Sequence, residues 1–101
     1  MRMLMNVVIP AEPFNTLMRN GTVGHTIGRI LETIQPEACY FTEHEGERGA
    51  TIVVNVDKAS QIPALAEPWY LAFEAECRFR IAMTPEDLQQ SNLEGIAKSW
   101  E

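Results

Sequence analysis

Apolar and polar positions alternate along the first stretch of the chain: Met3, Met5, Val7 and Ile9 are apolar, while Leu4, Asn6 and Val8 between them are mixed. A period of two predicts a strand over Met3 to Ile9, and apolar content on both faces predicts a central one. Pro13 follows at a position suited to open a short helix, which Gly21 ends. From Thr22 the period changes. Val23, Ile27, Ile30, Leu31 and Ile34 fall at i, i+4, i+7, i+8 and i+11, a helical stripe stopped by Pro36.

Glu37 to Glu43 is rich in strand formers, the polar HEGERG follows, and Ala50 to Val56 alternates again, with Ile52, Val54 and Val56 against Thr51, Val53 and Asn55. The pair reads as a hairpin with a longer loop. A second helix starts near Ser60, its stripe made of Ile62, Leu65, Ala66, Trp69 and Phe73. Glu74 to Met83 is the clearest strand, with Ala75, Cys77, Phe79, Ile81 and Met83 against Glu74, Glu76, Arg78, Arg80 and Ala82. T-P-E-D at Thr84 to Asp87 then offers an N-cap, a proline at the first helical position and acids in the first turn. The helix it begins carries a weak stripe, Leu93, Ile96, Ala97 and Trp100.

The order β-α-β-β-α-β plus a C-terminal helix predicts a single ferredoxin-like α+β domain over residues 1–101, with two helices on one face of a four-stranded antiparallel sheet. The letters AEP occur at Ala11 to Pro13 and again at Ala66 to Pro68, 55 residues apart. The two central strands are offset by about 47 residues on these boundaries, so the AEP segments are out of register with the fold's own doubling. They are two uses of one helix-entry signal. Pro68 is expected to kink or restart its helix and so to aim Trp69 and Tyr70.

Composition narrows the function classes. Apolar residues are 46% and charged ones 22% of 101, an ordinary globular balance. Eight Lys and Arg against fourteen Asp and Glu give a net charge of −6, which argues against nucleic acid and anionic membranes as partners. The apolar run after Arg2 is interrupted by Asn6 and stopped by Pro10, too short for a signal peptide. Cys39 and Cys77 form no CxxC pair, and in the strand order 4-1-3-2 that the ferredoxin-like fold implies they fall on opposite edge strands, about 14 Å apart at three strand spacings, beyond disulfide reach. The expectation is a cytoplasmic protein with no cofactor and no metal.

The sheet face without helices would present Leu4, Asn6, Val8, Tyr40, Val53 and Asn55, flanked by Glu74, Glu76, Arg78 and Arg80. Its centre is too apolar to stay wet, and its margins are too polar for a plain core. In this the chain resembles the dimeric α+β barrel proteins, small ferredoxin-like units paired through their sheets. The segments PEACYF, IPALAEPWYLAF and MTPEDL resemble a group of short uncharacterised bacterial proteins. The wider superfamily includes cofactor-independent monooxygenases, muconolactone isomerase and haem-degrading enzymes, so the resemblance implies a homodimer without fixing a reaction. Some of those enzymes place an asparagine on the first strand, a tryptophan near the second helix and a histidine beyond it. Asn6 and Trp69 match the first two positions; no histidine follows Trp69.

Two readings follow. In one, a homodimeric barrel holds a small apolar or weakly polar molecule in the cleft between sheet and helices, lined by Asn6, Tyr40, Asn55, Trp69, Tyr70 and Arg78, with isomerisation or cofactor-free oxidation as candidate reactions. In the other, a structural dimer fills the same face with its partner. His25, on the polar side of its helix with Arg29 and Glu32, reads as surface, and His44 in EHEGE as part of a solvated turn rather than a metal ligand. GTVGHTIGR matches no phosphate-loop spacing, so Gly24 and Gly28 are expected to permit close packing of another backbone.

Overall fold

The computed structural model describes residues 1–101. Its elements are β1 (Arg2–Ile9), α1 (Ala11–Arg19), α2 (Val23–Ile34), β2 (Ala38–His44), β3 (Glu47–Asn55), α3 (Ile62–Phe73), β4 (Glu76–Ile81), α4 (Pro85–Gln90) and α5 (Leu93–Ser99). The four strands form one antiparallel sheet in the order β2-β3-β1-β4. This is the ferredoxin-like α+β arrangement, with the strands expected to be central, β1 and β3, in the middle.

Local chemistry explains the boundaries. Glu12 is extended (φ −116°, ψ 141°), so the regular part of α1 begins at Pro13. The Glu12 carboxylate accepts from Thr16 N at 3.2 Å and Thr16 Oγ1 at 2.6 Å, which caps the first turn. Gly21 takes φ +78° after α1, a conformation that favours glycine. The hairpin between β2 and β3 is tighter than expected. His44 pairs with Glu47 across a two-residue turn, and Glu45 (φ 51°) and Gly46 (φ 86°) supply the two positive φ angles of a type I′ turn.

One face of the sheet meets the helices. Met5, Val7 and Ile9 of β1 and Ala50, Ile52 and Val54 of β3 are buried there with Ile30, Leu65, Trp69 and Phe73. Phe73 sits between two other rings, 5.4 Å from Phe14 and 6.0 Å from Trp69, distances that suit tilted aromatic packing. Cys39 and Cys77 lie on the two edge strands as free thiols. Burial pushes the Cys77 thiol up to about 11, so it is protonated at neutral pH.

Three expectations change. Pro68 neither interrupts nor restarts α3: the helix runs through it from Ile62 to Phe73, because burial of Leu65, Ala66, Trp69 and Phe73 along one side outweighs one missing hydrogen bond. A Cβ added at Gly24 or Gly28 would meet nothing within 4 Å, so neither glycine admits a close neighbour within the chain. The C-terminal helix is two helices, broken at Asn92 (φ 57°), whose side chain accepts from Gly95 N to start α5. Before the break, Thr84 and Asp87 form a reciprocal capping box at the start of α4.

Candidate functional site

β-Pairing places alternate residues of the four strands in rows on the face opposite the helices. Tyr40 pairs with Thr51, Thr51 with Asn6, and Asn6 with Arg78, so one polar row crosses the whole sheet. On one side of it runs Thr42, Gly49, Val8 and Glu76; on the other runs Ala38, Val53, Leu4 and Arg80. Leu4, Asn6, Thr51 and Val53 are half-buried although nothing covers them. Tyr40, at the β2 edge, is 68% exposed.

The hydrogen bonding of the row is directional. Thr51 Oγ1 donates to Asn6 Oδ1 at 3.0 Å, which leaves the Asn6 amide nitrogen, with two donors, facing outward without a protein partner. Arg78 Nη2 reaches its own strand neighbour Glu76 Oε1 at 3.3 Å, an exposed pair of little energetic weight. Tyr40, Asn6 and Arg78 therefore present donors along one line. A hollow of about 110 Å³ lies beside it, lined by Asn6, Val8, Thr42 and Thr51 among others. The row holds no nucleophile paired with a base.

Asn55 shares this face but sits at its far end, opposite Arg2. There the Arg2 guanidinium donates to both Glu37 carboxylate oxygens, at 2.9 and 2.7 Å, and holds that carboxyl below its usual range. Asn55 thus lies four residue pairs along the β1–β3 ladder from Asn6, at a salt-bridged corner.

Trp69 and Tyr70 do not belong to the row. Trp69 is fully buried in the core on the helix side of the sheet, and its indole N–H has no acceptor. The reason is its place in the i, i+3, i+4 stripe of α3, which faces the sheet. The match of Asn6 and Trp69 to an enzyme pair therefore fails in space, since the sheet stands between them. Tyr70, one residue on, turns toward the β4 edge. Burial raises its hydroxyl pKa first, with further contributions from Cys77, Glu67 and Glu76. The cleft between sheet and helices is packed core, so a ligand site lined by all six residues does not form.

Thr51 is the site residue that the sequence reading passed over. Its signal was present in the alternation of β3, but only the register with Asn6 gives it a role. No three His, Cys, Asp or Glu side chains converge in a way that could hold a metal ion, and no helix is long and apolar enough to cross a membrane. Comparison with protein-family models and with curated proteins found no match.

Proposed function

We propose that this chain is a homodimeric small-molecule-binding protein of the dimeric α+β barrel kind, its two sheets facing each other across the row Tyr40–Thr51–Asn6–Arg78. The observation that carries this reading is the uncovered face itself: apolar at Leu4, Val8 and Val53, and crossed by a continuous line of donors. An apolar centre gains by leaving water, and outward donors need acceptors once it does. A ligand that meets both demands is a small, largely apolar molecule with a carbonyl or similar acceptor. A hollow of about 110 Å³ on one chain is smaller than the roughly 300 Å³ of the smallest typical ligand site, so the second sheet supplies the rest of the wall. Binding is proposed rather than a particular isomerisation or oxidation, because the row carries no general base.

The size of that hollow also favours a second reading, a structural dimer in which the partner's side chains fill the face. Native mass spectrometry of freshly purified protein separates the two. The binding reading predicts a dimer with a retained small-molecule adduct, lost from Asn6→Ala while the dimer persists. A dimer without adduct, and with no uptake of apolar carbonyl probes, selects the structural reading. A monomer contradicts both.

A further inference from the structure

Residues after Ala82 leave the body of the protein. The longest dimension is 62 Å and the radius of gyration 17.2 Å, against about 13 Å for a compact chain of this length. Neither α4 nor α5 forms a packed interface with the sheet or with α1–α3. Yet this arm is well built: a capping box starts α4, and Asn92 caps α5. Helices of six and seven residues do not persist alone in water, so their order calls for a surface to pack on. The arm carries the means to do so, with Leu93, Ile96 and Trp100 on one side of α5, all exposed, and Leu88 on α4.

A matching surface exists on the body. Between α2 and α3, on the outside of the helical layer, runs an open groove of about 430 Å³. Its floor is Ile30, Pro68, Leu71 and Ala72, and its rim carries His25 and Arg29. Neither rim residue takes part in a salt bridge. Leu71 is 82% exposed there, as Trp100 is 86% exposed on the arm. The charges are complementary: the arm from Ala82 onward has four acids (Glu86, Asp87, Glu94, Glu101) against the single base Lys98.

We infer that the arm of one copy docks into the α2–α3 groove of a second copy, with Trp100 and its stripe against Leu71 and the acids of the arm against Arg29. Each chain carries both the arm and the groove, so two copies satisfy both at once in a closed, two-fold exchange. This contact needs a second copy but not the sheet-to-sheet seam proposed above, and the two fail separately.

The test uses full-length chains in which Cys39 and Cys77 are replaced by alanine. One chain carries Leu71→Cys and the other Trp100→Cys; they are mixed and mildly oxidised. The inference predicts a disulfide-linked product of twice the chain mass from the mixture, strongly reduced by adding Arg29→Glu. No such product, or a product formed instead with Val53→Cys on the open sheet face, overturns it. So does a monomer-mass product from one chain carrying both substitutions when the mixture gives none. The unmodified chain gives an independent readout that needs no variant to fold. Trp69 is already buried, so dilution below the association range must red-shift emission through Trp100, with a small loss of helical circular dichroism as the freed arm helices melt; emission independent of concentration overturns the inference. A dimer by mass without the cross-link sinks the arm contact alone. An arm cross-link that forms while Leu4→Glu leaves the dimer dissociation constant unchanged sinks the sheet seam alone.

Discussion

Val53 and Val54 are neighbours on one central strand, yet they meet opposite environments. Val54 is 2% exposed, packed in the core between sheet and helices. Val53 points to the other side, half-buried between Leu4 and Ala38 with no element above it. Strand propensity is the same for both, so the difference lies in what covers each face. The covered face is uniformly apolar: Met5, Val7 and Ile9 beside Ala50, Ile52 and Val54. The open face interleaves Leu4, Val8 and Val53 with Asn6 and Thr51. A surface meant for water has no use for that apolar centre, and a finished core has no use for that line of donors.

The comparison breaks most sharply by placing a carboxylate on each side. Val54→Glu buries a charge without a partner and is expected to cost about 4 kcal/mol or more, read as loss of cooperative unfolding by circular dichroism. Trp69→Ala opens a cavity in the same core and should cost about 3–5 kcal/mol. Trp69→Phe should cost less than the alanine change, since it also removes the indole N–H that has no acceptor.

Gly49 sits on the open face where an added Cβ would lie 2.8 Å from Val7 O. Backbone cannot yield as a flexible side chain does, so Gly49→Ala is expected to destabilise by about 1–3 kcal/mol in urea unfolding. At the corner of the same face, Arg2 holds the Glu37 carboxyl below its usual range, so the folded state binds that proton less readily than the unfolded one. The stability it contributes is present above the ordinary carboxylate range and is lost as pH falls through the lowered folded value. Thermal melts of the parent chain and Glu37→Gln should therefore differ at neutral pH and converge in acid. The smallest effect has the opposite sign. Gly28 is helical with open space around it, so Gly28→Ala should stabilise by about 0.5–1 kcal/mol.

Much of this contrast was legible in the chain. The alternation of Met3 to Ile9 placed β1 at the centre, and the stripe from Ile62 to Phe73 announced which side of α3 is buried. That same stripe already assigned Trp69 to the core, which is why its match to a catalytic tryptophan fails. Other features depend on pairing and were not legible. The line Tyr40–Thr51–Asn6–Arg78 joins four strands whose mutual register no local pattern encodes. Pro68 warned of a restart, but α3 continues through it because burial along its side outweighs the lost hydrogen bond, a balance set by tertiary packing. The detachment of α4 and α5 was equally invisible, because a weak apolar stripe looks the same whether it packs at home or on another copy.

The most direct test of the central claim, that the open face is a seam between two copies, is sedimentation velocity of the parent chain beside Val53→Glu. The account predicts a parent species of twice the 11.4 kDa chain mass. For Val53→Glu it predicts association markedly weaker than the parent's, with the folded circular dichroism retained. A parent chain that sediments as a monomer would contradict it, and so would a Val53→Glu dimer as tight as the parent's.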